Sequence, residues 1–268
     1  MDQPLPRWLR IFFLIVALQA FLLFIALIQP SLINLVEPWP ASPLNARFIA
    51  ALYTALGIAV LLCSRAHVFR EVRIILAGVG LATAGLLLIT LYRLAVFGFG
   101  ELAYPDRFPV GWTLFYLLDP LVVAWTFWRW RGEGTGRTPS RLAGFWLVQT
   151  VLLGVSGLVL LLAPTLAISL WPWALTPPLS QLYSGFFLTL AVCCWLASRE
   201  GEWSGVRLLT LALALLALLV LVVSVVHLER FKPGLPTLVW FALFGAEALA
   251  FIWLWLRHAA RQPRVAPL

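Results

Sequence analysis

Continuous apolar runs, separated by short clusters of proline, glycine, tryptophan and arginine, divide this chain into eight segments. They fall roughly at 8–30, 43–63, 73–97, 109–129, 141–164, 177–197, 206–228 and 236–257. Each approaches or exceeds the ~20 helical residues that cross a bilayer core of ~30 Å. None alternates polar and apolar positions as a membrane-barrel strand would, and lipid admits only helices or closed barrels. The pattern predicts an all-α fold, a polytopic transmembrane helical bundle of eight spans.

The pattern also returns on itself. Pro38-Trp39-Pro40-Ala41-Ser42-Pro43 leads into a run ending at Ser64-Arg65, and Pro172-Trp173-Ala174-Leu175-Thr176-Pro177 leads into one ending at Ser198-Arg199, a shift of 134 in a chain of 268 residues. At the same shift Arg7 meets Arg141, Pro30 meets Pro164, Arg47 meets Gln181, Val72-Arg73 meets Val206-Arg207 and Arg93 meets His227. Gly98–Pro109 is six residues longer than Lys232–Thr237, after which a shift of 128 pairs Trp112 with Trp240, Asp119 with Glu247, Trp125 with Trp253 and Arg129 with Arg257. The expectation is two parallel four-helix repeats, 1–131 and 141–268, joined by a glycine-rich linker over 132–140. An even number of spans per repeat relates the copies by a pseudo-twofold axis along the membrane normal, an arrangement found among transporters. Gly132, Gly134 and Gly136 have no following Gly-Lys-Ser/Thr and no preceding strand, so they read as a flexible connection and not a phosphate loop.

Ser42-Pro43 and Thr176-Pro177 read as helix starts, with a hydroxyl cap and proline in the first turn. Trp39, Trp171 and Trp173 are then expected at the outer interface, where amphipathic rings are favoured. This loop bears a passing resemblance to the Trp-Pro-rich loop of tryptophan-rich sensory proteins, a family of five spans without such a duplication.

Composition strengthens the membrane reading: 62 % of residues are hydrophobic, only 11 % are charged, and mean hydropathy is +0.96. The net charge of +8 points to anionic lipid headgroups and not to nucleic acid, because the basic residues sit in short patches beside apolar runs. Fourteen basic residues from Arg7 to Arg264 fall on one side of the bundle, whereas Arg107, Arg230 and Lys232 mark the other. By the positive-inside rule both termini lie in the cytoplasm of a bacterial-type inner membrane. The apolar stretch after Arg10 is longer than that of a signal peptide and its counterpart lies mid-chain, so it reads as a span of the mature protein.

Chemistry is sparse. Cys63, Cys193 and Cys194 have no metal-ligand spacing and read as small packing residues, while His67, His227 and His258 lie at different depths. No Gly-x-Ser-x-Gly or His-Glu-x-x-His motif is present, so neither catalytic residues nor a cofactor is expected. Gly78, Gly80, Ala82 and Ala84 suggest close helix contact.

Asp119 and Glu247 stand out. Each lies about ten residues into its span, where a charged carboxylate costs on the order of 2.5–3.5 kcal/mol or more. Aligned positions on opposite repeats place both around one central cavity, with Pro120 and the small Gly245-Ala246 beside them. Arg47 and Arg93, or in the second repeat Gln181 and His227, are candidate inward-reaching partners, although such arginines also snorkel outward. The function expected is a small secondary transporter or permease-like protein with Asp119, Glu247, Arg93, His227, Arg47 and Gln181 as substrate- or ion-binding residues. The alternative is a non-catalytic membrane subunit or scaffold, docking a membrane-protein partner or a second copy of itself.

Overall fold

A computed structural model describes residues 3–35, 38–102, 110–130 and 142–259. The linker over 132–140 and Arg107, Arg131, Arg137, Arg141, Arg261 and Arg264 lie outside the described residues. The described chain is helical throughout, with one isolated β-bridge between Pro4 and Val68. Eight helical segments are long and apolar enough to cross a membrane, which makes this a polytopic membrane protein.

The helices follow the apolar runs closely: α1 Arg7–Leu22, α2 Ile25–Ile28, α3 Pro43–Cys63, α4 Phe69–Phe97, α5 Val110–Arg129, α6 Ala143–Leu162, α7 Pro164–Leu170, α8 Pro177–Ser198, α9 Trp203–Val226 and α10 Leu235–Ala259. Prolines set the breaks. Gln29 before Pro30 is extended (φ −118°, ψ 90°), and Ala163 before Pro164 leaves helical geometry (φ −130°, ψ 59°), as the clash with a following proline ring requires. Helices α4 and α9 begin three or four residues earlier than the apolar pattern alone suggests. Their charged first turns are paired: Arg73 with Glu200 at 3.0 Å and Arg207 with Glu71 at 3.2 Å, each bridge joining the two halves of the sequence.

Four helices are inner and four are outer. In the apolar stretches of α3 and α8, 67 % of residues are buried, and in α4 and α9 56 %, against 33 % for the α1–α2 span, 28 % for α5 and 22 % for α6 and α10. Helix α4 packs on α9 at the centre, α3 packs on α9, and α8 packs on α4. The outer helices each cover one inner helix: α1 on α3, α5 on α4, α6 on α8 and α10 on α9.

The outer tryptophans depart from expectation. Trp39 and Trp173 are 1 % exposed and Trp171 is 8 % exposed, so they do not anchor to lipid headgroups. The rings of Trp171 and Trp173, in the segment before α8, pack with Phe48, Tyr183 and Trp240. Asn45 holds this cluster: its Oδ1 accepts from Trp173 Nε1 at 2.7 Å and from the Tyr183 hydroxyl at 2.9 Å, and its Nδ2 donates to the Ala174 carbonyl at 3.1 Å. The Ser42 cap forms, with Oγ accepting from the Asn45 N–H at 3.4 Å. Thr176 occupies the equivalent place without a side-chain cap bond; Pro177 and Pro178 leave fewer N–H groups for it to serve.

Close helix contact falls at Gly80, where a Cβ would stand 2.7 Å from Val123 Cγ1 and 2.9 Å from Val123 Cβ on α5. Lipid provides no hydrophobic force between helices, so such backbone approach carries much of the packing. Val123 is β-branched and stiff, so Gly80→Ala must push α5 outward. The expected loss is about 1–3 kcal/mol, read as a lower Tm in detergent. Gly85→Ala on the same helix, with nothing within 4 Å of the added Cβ, is expected to leave Tm unchanged or higher.

Candidate functional site

The six polar residues singled out from the sequence separate into two kinds of arrangement. Arg47, Gln181, Arg93 and His227 form two clasps at the end of the bundle opposite the arginine-rich end. Arg47, on the second turn of α3, places Nη1 2.7 Å from His227 Nε2, just past the end of α9. Its Nε donates to the Leu27 carbonyl at 2.9 Å, one of the acceptors left open where α2 stops before Pro30. Gln181 repeats the arrangement on α8: its Oε1 accepts from Arg93 Nη1 at 2.7 Å, and its Nε2 donates to the Leu161 carbonyl at 3.3 Å near the end of α6. Arg93 also lies over the Phe97 ring, 4.4 Å from its centroid. Each clasp joins one half of the sequence to the other. Arg47 and Arg93 thus bind at the helix ends, and neither lines the cavity that holds Asp119.

Asp119 and Glu247 line two different cavities and not one. Helices α5 and α10, which carry them, sit on the outside of the inner four, on opposite partners. The first cavity has a volume of about 400 Å³ and lies among α1, α3, α4 and α5 with α8 behind it. Its walls are largely apolar, with Asp119, Gln19, Tyr53, Tyr116 and Thr83 as convergent polar groups. Asp119 is 3 % exposed and hydrogen-bonds Gln19, while its Oδ2 has no partner among the described residues. The Tyr53 and Tyr116 hydroxyls hydrogen-bond each other beside it. Gly78 and Ala82 line this space; Gly78 also makes the close helix contact expected of it, to α8, where an added Cβ would stand 3.0 Å from Cys193 Sγ.

The second cavity, about 100 Å³, lies among α3, α6, α8, α9 and α10. Glu247 is half-buried there, and its Oε2 accepts from Gln149 Nε2 at 2.9 Å. Trp112 and Trp240, each two turns from its carboxylate, make matching bonds, Trp112 Nε1 to Thr90 Oγ1 at 3.2 Å and Trp240 Nε1 to Ser224 Oγ at 3.0 Å.

Sequence reasoning missed Gln19, Gln149, Asn45 and the tyrosine pair. A signal for Gln19 existed, since it is the only strongly polar side chain between Arg10 and Gln29. The three cysteines are buried thiols, and no group of three or more His, Cys, Asp or Glu capable of holding a metal occurs among the described residues. Comparison with protein-family models, with curated proteins and with solved structures finds no match to this chain.

The Arg47–His227 clasp has a pH dependence. Burial is the main influence holding the His227 pKa below the usual histidine value; Arg47 and Arg230 act in the same direction, and Glu229, at 3.6 Å from Nδ1, opposes them. A histidine with a lowered pKa in the folded state gives full stability above its unfolded pKa and loses it as pH falls, because the unfolded chain then binds the proton better. The contribution of His227 to Tm is therefore expected to fall between pH 8 and pH 5.5, read as the difference between wild type and His227→Gln. His227→Gln supplies a non-titrating acceptor, as Gln181 does for Arg93, and should flatten that part of the Tm profile.

Proposed function

We propose that this protein is a small secondary transporter of a bacterial-type cytoplasmic membrane, built as two parallel four-helix repeats with both termini inside. The observation that carries the reading is Asp119: a buried carboxyl with one oxygen unpartnered, on the wall of a 400 Å³ cavity whose described lining contains no Arg, Lys or His. A carboxylate at that depth requires a proton or a cation to balance its charge. Exchange between the two is the elementary step of coupled transport, since the cation leaves as the proton arrives and no bare charge is left in the bundle.

Several features support the repeat architecture beneath this reading. Exchanging the halves carries each helix packing into another: α1 on α3 becomes α6 on α8, and α3 on α9 becomes α8 on α4. The Arg47–His227 and Gln181–Arg93 clasps pair residues at positions related by 134, and the Trp112–Thr90 and Trp240–Ser224 bonds follow the shifts of 128 and 134. In this reading the clasps hold the outer end shut, and rocking of one repeat against the other parts them. The arginine-rich end faces the cytoplasm and its anionic headgroups. Glu247, in the smaller cavity of about 100 Å³, is in this reading the second, less available carboxylate of the pair.

The test is transport in proteoliposomes with quaternary-ammonium compounds and ethidium as solutes and an imposed proton gradient as the drive. Wild-type protein is expected to accumulate at least one of them above protein-free liposomes. Asp119→Asn should lower the rate by about tenfold or more, equivalent to about 1.4 kcal/mol. Equal rates for wild type and Asp119→Asn with Glu247→Gln would end the proposal.

A further inference from the structure

The two cavities occupy corresponding places in the two halves; the residues around the carboxylate have become bulkier or less polar in the second half, while Leu22, which becomes Ser156, runs the other way. This comparison rests on the proposed duplication. At a shift of 134, Ala82 of the first cavity becomes Leu216 of the second, Thr83 becomes Ala217, and Tyr53 becomes Phe187; at a shift of 128, Tyr116 becomes Phe244 and Asp119 becomes Glu247. Every polar neighbour of the carboxylate in this set has lost its hydroxyl, and a methyl has grown to an isobutyl group. The volume falls from about 400 to about 100 Å³ accordingly. Each carboxylate is bonded by one glutamine, Glu247 by Gln149 and Asp119 by Gln19, and the second oxygen of Asp119 is buried without a partner among the described residues.

From this we infer that the first-half cavity alone is the solute site, that it takes an organic cation with a bulky apolar body, and that the second-half cavity is its filled, structural counterpart. The chemistry of the lining selects that class. The single acidic group has an unpartnered oxygen and no basic neighbour, so it favours a positive centre. Tyr53, Trp112, Phe115, Tyr116 and Phe186 present aromatic rings to the same space, and ring faces attract cations that are too weakly hydrated to be held by water. The remaining walls are apolar and suit the body of the solute, as in most small-molecule sites.

The way in is from the side. Helices α1 and α5 meet near the arginine-rich end through Trp8 and Trp125, whose rings are 4.9 Å apart, and Trp8 with Trp130 at 6.4 Å. Toward the other end the lining residues Leu22, Leu35 and Val110 are exposed, so among the described residues the cavity opens sideways between the two helices there. A solute with an apolar body partitions into that leaflet before it reaches Asp119.

The test is equilibrium binding of tetraphenylphosphonium to the purified full chain in detergent, by calorimetry and by quenching of tryptophan fluorescence. Tetraphenylborate, the same shape with the opposite charge, serves as the control. Wild type is expected to bind one cation per chain and no anion. Asp119→Asn and Ala82→Leu, the latter importing the second half's own residue, should each weaken the cation by about tenfold or more, while Glu247→Gln stays within about twofold. Thermal unfolding of each variant establishes that it is folded, and Tyr116→Phe, a smaller change at the same wall, provides a second measure of weakened binding. Equal binding of both ions, or equal loss in Glu247→Gln and Asp119→Asn, would overturn the inference. Binding with this pattern but without uptake in liposomes would sustain the site and remove only the transporter reading.

Discussion

Inside a bilayer a polar side chain has no water to turn to, so each must find its partner within the bundle. In this protein the polar pairs at the two ends of the bundle draw their partners from the other half of the sequence. Asn45 holds Trp173 and Tyr183, Arg47 meets His227, Arg93 meets Gln181, and the arginine-rich end is closed by Arg73 with Glu200 and Arg207 with Glu71. The inner four helices depend on this crossing. Apolar packing of α4 on α9 brings the halves together, and the polar pairs at both ends select one register for them. Hydrogen bonds of this kind contribute modestly one at a time in membranes, on the order of 1 kcal/mol, but each also excludes the arrangements that would leave it unmade.

The eight spans were legible because lipid tolerates no long interruption of an apolar run, and their ends were legible because proline and arginine mark them. Which residues meet was not. Arg47 and Arg93 were recognised as equivalents of Gln181 and His227, yet the crossed pairing follows from α3 packing on α9 and α8 on α4, which no count of residues along one span reveals. The same limit split the carboxylates. Helices that are apolar on every side give no period from which to tell the inward face, so an aligned Asp119 and Glu247 suggested one cavity, whereas α5 and α10 sit on opposite flanks. The tryptophans misled for a different reason. An indole at a helix end suits the headgroup region and a buried cluster equally well, and Asn45, the residue that decides between them here, reads in sequence as an ordinary first-turn polar residue.

The two cavities are a case of one scaffold carrying unequal contents. On the proposed duplication, Ala82 on α4 leaves room that Leu216 fills at the corresponding place on α9, while each helix keeps its corresponding neighbours. Helix packing and cavity volume are thus set by different residues. Gly80 governs how closely α5 approaches, while Ala82, on another face of α4, leaves space beside it.

The crossed clasps also order events during synthesis. Arg47 and His227 are 180 residues apart in sequence, so the arginine leaves the ribosome well before its acceptor exists. At roughly 5–20 residues per second, Arg47 waits about 10–40 s for His227, and Arg93 and Asn45 wait shorter times for the groups that will satisfy them. The nascent first half is therefore a species distinct from the first half of the finished protein, hydrated or lipid-bound at places that later become dry. Assembly is completed only when α8 and α9 arrive, and a chain truncated before them retains its hydrophobic spans without the contacts that hold their polar residues in place.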